Sequence, residues 1–138
     1  MTAPVFVDSK VLIYALDEGQ AKKHQAARLW RSELWKSRRG RTSFQVLQEF
    51  YANVTRKWPA AREQAQAEIR NLLTWRPVVV QEEVLEGAWT IQERHKISFW
   101  DALILQAAES SGATLVYSED LAGGQRYGSV RVANPFAK

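Results

Sequence analysis

The chain has 138 residues, 46% hydrophobic and 25% charged, enough for one globular domain (residues 1–138) with a real core. It contains no cysteine, which excludes disulfides, thiolate zinc sites and cysteine nucleophiles together. A formal charge of +4 permits a polyanionic partner without requiring one.

No apolar run approaches bilayer-spanning length, and the N-terminus lacks a positively charged start followed by an apolar core, so the chain reads as cytoplasmic. Val5-Phe6-Val7 is a short apolar run ending at Asp8-Ser9, which reads as a buried strand and a polar turn. Val11 to Leu16 starts a short helix that Asp17-Glu18-Gly19 breaks. From Gln20 to about Arg38 the pattern is helical, with Ala27, Trp30 and Leu34 on one face and lysines and arginines opposite. Arg38-Arg39-Gly40-Arg41 is a basic loop with room for a short strand at its end.

Thr42 or Ser43 caps the next helix, whose apolar stripe is Phe44, Leu47, Phe50, Tyr51, Val54 and Trp58, and Pro59 stops it. Glu49 lies roughly 60° beyond Val46, at the margin of that stripe, where a side chain can point into a cleft beside the core. Ala61 to Trp75 is helical. Val78-Val79-Val80 reads as a third buried strand, and Glu82 to Arg94 as another helix. Most of the six tryptophans are expected to fill the core.

Ser98-Phe99-Trp100-Asp101-Ala102 opens an apolar helix that turns at Ser111-Gly112. Thr114 to Tyr117 then forms a strand running into Ser118-Glu119-Asp120. The helix covers roughly 18–20 Å and the returning strand roughly 20 Å. Their lengths nearly cancel, which brings Asp101 and the Glu119-Asp120 pair back to one edge. Gly123-Gly124 is a loop, and Val130-Arg131-Val132 a last strand. Strands alternating with helices predict an α/β fold, a parallel sheet of four to five short strands covered on both faces. Ligands of such sheets bind beyond the carboxyl ends of the strands, where Asp8 and Asp120 fall.

Asp8, Glu49, Asp101 and Asp120 thus have structural reasons to converge. Hard cations such as Mg²⁺ or Mn²⁺ take carboxylate oxygens, and the mutual repulsion of clustered carboxylates needs a cation to offset it. Each residue also has a plain structural reading. Asp8 can cap the following helix, Glu49 can be solvated, and Asp120 can sit in an Asx turn, with Glu119 as its alternative. Ser98 and Asp101 have the spacing of a capping box. His24 and His95 are expected on the surface, and no Ser-His-Asp set, P-loop or dinucleotide fingerprint occurs. Lys10, Lys22, Lys23, Arg38, Arg39 and Arg41 could line one groove for a phosphate backbone, or form a solvated basic face.

Val5-Phe6-Val7-Asp8-Ser9, the helix around Glu49, Ser98-Phe99-Trp100-Asp101-Ala102, and Leu115 to Leu121 together resemble, in order, the motifs of PIN-domain ribonucleases. In particular they resemble the VapC-type toxins of bacterial toxin–antitoxin pairs, in a branch of which the closing Asn134-Pro135-Phe136 is also seen. The resemblance implies a Rossmann-like PIN fold and a metal-dependent endoribonuclease. Asp8, Glu49, Asp101 and Asp120 would hold Mg²⁺ or Mn²⁺ and a hydrolytic water, with Ser118 supporting the site. It also implies an RNA substrate, a cognate antitoxin covering the site and a homodimer. Lys10 departs from the family, which often has Asn there; it could pair with Asp8 or reach a substrate phosphate. Two readings compete with a nuclease. One is a non-catalytic RNA- or partner-binding module on the same fold. The other is a phosphoacceptor domain, disfavoured because no aspartate follows Val78–Val80.

Overall fold

The computed structural model describes residues 3–121 and 124–136. Five strands form one sheet in the order β2-β1-β3-β5-β4: β1 (Val5–Val7), β2 (Gly40–Arg41), β3 (Leu115–Tyr117), β4 (Arg126–Tyr127) and β5 (Val130–Ala133). All neighbours are parallel except β4, which closes one edge antiparallel to β5. Six helices surround it: α1 (Ser9–Tyr14), α2 (Ala21–Ser37), α3 (Phe44–Lys57), α4 (Arg62–Leu72), α5 (Glu82–His95) and α6 (Phe99–Ser110). This is the expected α/β architecture. Of the expected Gly123-Gly124 loop, Gly123 lies outside the described residues.

The three residues of β1 are all buried, as a strand covered on both faces requires. Side chains alternate along a strand, and the register aligns Val7 with Tyr117 on one face and Phe6, Val116 and Val132 on the other. Trp30 of α2 packs on Tyr117 with ring centroids 5.1 Å apart. Phe6, Val116 and Val132 are completely enclosed. In α6, Ala102, Leu103, Ile104, Leu105, Ala107 and Ala108 are all buried, because α5 packs on it as well as β3 and β5. That double cover explains a helix apolar on nearly every side.

Several expectations change. Val78–Val80 is not a buried strand: Val78 makes a single bridge to Ser43, and Val79 and Val80 are exposed. The run lies beside Thr42–Phe44, where β2 has ended and α3 begins, so only Val78 finds backbone partners, Thr42 and Phe44. Phe44 is largely exposed because it stands at the first position of α3, on the rim beside Val79 and Val80. Trp35, Trp89 and Trp100 are exposed, and only Trp30, Trp58 and Trp75 pack against the core. The segment from Ala61 to Trp75 is α4 with a short 3-10 turn at each end.

Candidate acidic site

β1 delivers Asp8 to the carboxyl edge of the sheet, where its backbone N–H still bonds to the Tyr117 carbonyl of β3 at 3.0 Å. The side chain is only 9% exposed. Its Oδ1 accepts from the Ser9 backbone N–H at 2.7 Å, and its Oδ2 from the Ser118 hydroxyl at 2.9 Å. Asp8 is therefore also the N-cap of α1. Burial pushes its carboxyl from 3.8 up to about 6; the two hydrogen bonds oppose this, and the like charges of Glu49 and Asp120 add to it. Ser118 sits one residue beyond β3, and its oxygen also accepts from Leu121 N–H at 3.3 Å.

Glu49 is placed by α3, which starts where the Ser43 hydroxyl accepts from Val46 N–H at 3.2 Å. Its two carboxylate oxygens face the Ser9 hydroxyl and the Gln45 amide, each at 3.4 Å. The same Gln45 amide reaches the Trp100 carbonyl at 3.5 Å, tying the first turn of α6 to α3. Asp101 follows Trp100. Its N–H donates to the Ser98 hydroxyl at 3.1 Å, one half of a capping box. Among the described residues its carboxylate makes no hydrogen bond, so the return half is not formed. Asp101 is half-buried.

The Glu119-Asp120 pair divides. Glu119 accepts from the Tyr14 hydroxyl at 2.8 Å and from Lys23 Nζ at 2.6 Å, with Lys10 at 3.8 Å. Burial raises its pKa, but the bonds from Lys23 and Tyr14 outweigh this and hold it below the usual carboxylate range. Asp120 is exposed and pairs with Lys10 Nζ at 3.1 Å. Lys10 therefore meets Asp120, not Asp8: it is the second residue of α1, on the turn facing the loop after β3. Of the two acids, Asp120 is the one whose charge acts on Asp8.

The fold thus brings Asp8, Glu49 and Asp120 within electrostatic reach, with Asp101 joined to them through Gln45 and the Trp100 carbonyl. The donor set is all carboxylate oxygen with hydroxyls behind it, the chemistry of a hard divalent cation. The like charges around a buried Asp8 fit such an ion. As placed, the side chains do not close a cage: among the described residues no three acidic or imidazole groups are grouped tightly enough to hold an ion. Asp120 is instead turned to Lys10.

Sequence reasoning missed the roles of Gln45 and Tyr14, and the pairing of Lys23 with Glu119. Gln45 lies four residues before Glu49, on the same helix face, which is a usable signal; the Tyr14–Lys23–Glu119 clamp has none, because its parts come from three elements. Phe136 packs behind it against Tyr14 and Trp30, at centroid distances of 4.9 and 5.0 Å. His24 and His95 are half-buried, not exposed: His24 Nδ1 lies 2.9 Å from the Tyr14 carbonyl and His95 packs on Tyr127. The basic residues do not share one groove. Lys10 and Lys23 stand at the acidic rim, Arg39 pairs with Glu33, and Arg38 and Arg41 line a cleft at the other edge of the sheet. The register explains the division: Gly40 pairs with Val5, at the amino end of β1.

The model of the PIN domain matches residues 5–122. Among solved structures, the chain is similar to VapC20 of Mycobacterium tuberculosis, a sarcin–ricin-loop-cleaving toxin. The TM-score is 0.66 with 29% identity, over 84% of this chain and 89% of that one. It shares its fold with VapBC2 from Rickettsia felis, solved on a DNA fragment from its promoter. There the TM-score is 0.60 with 15% identity, over 93% of this chain and 96% of that one. No curated protein matches it in sequence. With the family model spanning β1 to the loop beyond β3, the chain belongs to the PIN-domain family.

Proposed function

We propose that this chain is a metal-dependent endoribonuclease that hydrolyses RNA phosphodiester bonds, the toxin of a toxin–antitoxin pair. The observation that carries the reading is Asp8: a buried carboxylate at the end of β1, gripped by Ser9 and Ser118 and facing two like charges. The likeness to VapC20 supports the substrate class. Asp8, Glu49, Asp101 and Asp120 would hold the ion, Mg²⁺ or Mn²⁺, which when bound supplies Lewis-acid polarisation of the scissile phosphate. Ser9 and Ser118 fix both oxygens of Asp8, so its lone pairs point where the fold directs them. Glu49, whose carboxylate faces Ser9 and Gln45, would complete the site or orient the attacking water. Lys10 holds Asp120 at the outer rim until substrate or cation takes its place.

The exposed apolar side chains Phe44, Val79, Val80 and Trp100 beside this rim support a covering protein partner, a cognate antitoxin or a second copy in a homodimer. Light scattering of the chain, alone and with the product of a small neighbouring reading frame, tests that part. For the chemistry, RNA cleavage with Mg²⁺ or Mn²⁺ is compared between wild type and Asp101→Asn. Cleavage should vanish in the variant; equal activity in both sinks the assignment. A second reading, a non-catalytic RNA-binding module, is favoured by the Lys10–Asp120 pair, which already neutralises one acid. It prevails if wild type cleaves no RNA and Asp8→Asn leaves RNA affinity unchanged.

A further inference from the structure

Most cations that touch a described carboxylate lie away from the amino edge of the sheet or are fully engaged. Arg31 is paired with Glu68, Arg39 with Glu33, Lys57 with Asp17, and Lys10 and Lys23 with the Glu119-Asp120 pair. Arg38, Arg41 and Arg76, like most lysines and arginines among the described residues, have no carboxylate within salt-bridge distance; what sets them apart is that all three line one open cleft of about 710 Å³, together with Trp35 and Trp75. Arg41 uses Nη1 on the Arg38 and Gly40 carbonyls, at 3.2 and 2.9 Å, and among the described residues its Nε and Nη2 make no hydrogen bond. Three unneutralised guanidiniums lining one cleft with two indole rings make a site for a phosphate with a base beside it.

The backbone adds a second observation. Arg38 and Arg76 both adopt left-handed conformations, φ 59° and 54°, where glycine or asparagine is usual. Lys96, the third such residue, ends α5 and is not part of the cleft. Arg38 and Arg76 likewise end helical segments in this geometry, so it is not the signal by itself; it is that two of the three caps carry arginine into the same cleft.

The position connects the cleft to the acids. It lies at the amino edge of β1 and β2, about 10 Å of strand away from Asp8. Val78 belongs to its wall. The adjoining Val79 and Val80 line a groove with Phe44, Gln45 and Trp100, and Gln45 touches Glu49. The run Val78–Val80 thus adjoins both the arginine cleft and the groove beside the acids. We infer that cleft and groove form one track for the substrate strand: phosphates remote from the cut rest on Arg38, Arg41 and Arg76, and unpaired bases cross the apolar groove past Trp100. The inference rests on the ribonuclease reading for its ligand, and it deepens that reading to single-stranded RNA bound at two edges of one sheet.

The test is the double variant Arg38→Gly/Arg76→Gly. Glycine suits both backbones, so relief of left-handed strain offsets the freer unfolded chain and the melting temperature should stay close to wild type. Binding of a fluorescein-labelled oligouridylate is measured by anisotropy in EDTA, so cleavage plays no part. Loss of two phosphate contacts should lower the slope of log affinity against log salt by about 1.4, so that with affinities meeting near 1 M salt the variant binds about 25-fold more weakly than wild type at about 0.1 M. A folded variant with unchanged affinity and slope overturns the inference. If both proteins then still cleave RNA, the nuclease reading stands without it. A wild type that binds no RNA overturns it too. A variant that keeps RNA affinity but loses affinity for polyglutamate overturns it by reassigning the cleft to an acidic protein. Weakened binding in the variant, when neither protein cleaves with Mg²⁺, would uphold the track while sinking the nuclease.

Discussion

Asp8→Asn should stabilise this protein in metal-free buffer, and only above a definite pH. The carboxyl of Asp8 is held at about 6 in the fold, against 3.8 for the free group, because burial disfavours its charge. A gap of about two units corresponds to about 3 kcal/mol. The sign follows from proton binding. A folded pKa above the unfolded one means that the native state binds the proton more tightly. Stability from this group is therefore full below pH 4, falls as pH rises from about 4 to 6, and stays low above that. Asparagine does not titrate. Its amide keeps an acceptor for Ser9 N–H but sets an NH₂ against the Ser118 hydroxyl, a mismatch of about 1 kcal/mol. The variant should thus be about 1 kcal/mol less stable than wild type near pH 4 and about 2 kcal/mol more stable at pH 7.5, with other carboxylates cancelling in the comparison. Urea titration in EDTA at the two pH values reads this directly. Thermal melts should show the gap reverse, by about 2–4 °C for each kcal/mol. A stability difference that is the same at both pH values refutes the reasoning, because it means that Asp8 is not titrating in this window.

Three further outcomes are expected. Ser118→Ala removes the hydroxyl that donates to Asp8 Oδ2, and should cost about 1–2 kcal/mol in urea while pushing the Asp8 titration, followed by carboxyl-carbon NMR, further up. Lys10→Asn releases Asp120, so Mn²⁺ affinity measured by calorimetry should rise several-fold; no change would mean that the ammonium does not compete for the rim. Gly40→Ala would set a methyl group into the Trp75 ring and lower the urea midpoint by the equivalent of about 1–3 kcal/mol, although both residues lie far from the acids.

Much of the scaffold was readable from pattern alone, for physical reasons specific to each element. Val5-Phe6-Val7 and Leu115-Val116-Tyr117 read as strands because burial on both faces leaves uninterrupted apolar runs. The helices were bounded by side chains that do the capping, such as Ser43 and Ser98. Val78–Val80 carries the same run and is not a sheet strand, since composition cannot say whether a backbone partner remains once α3 has begun. β4 was missed because a two-residue edge strand has no periodicity to read. At the site, position along strands and helices made Asp8, Glu49 and Asp101 candidates, whereas Asp120 was preferred to Glu119 largely on resemblance. The pairing of Lys10 with Asp120 and the Tyr14–Lys23–Glu119 clamp could not, because long flexible side chains from separate elements select partners only after the backbone is placed.

The two lysines change how the rim should be understood. Four carboxylates at one edge would repel one another, and the fold relieves that unequally. Lys10 and Lys23 serve Glu119 and Asp120. At Asp8 the acting charges are Glu49 and Asp120, both of its own sign, and its relief in the absence of a cation is a proton. On the metal-dependent reading proposed above, cation and proton would therefore compete for the same oxygens. Below about pH 6 each bound divalent ion must displace a proton from Asp8, so affinity should fall up to about tenfold per pH unit there and level off above. Lys10 imposes a second, pH-independent competition, since at these pH values its ammonium stays charged and its pKa is raised by the bond to Asp120. The two are separable. Removing Lys10 should lift the affinity above the bend and, by baring the like charge of Asp120, also move the bend up in pH, whereas removing the Ser118 hydroxyl should move the bend without lifting the affinity above it. If affinity above the bend is unchanged in Lys10→Asn, the ammonium does not compete for the rim, and the division of labour drawn from the Lys10–Asp120 distance of 3.1 Å is wrong.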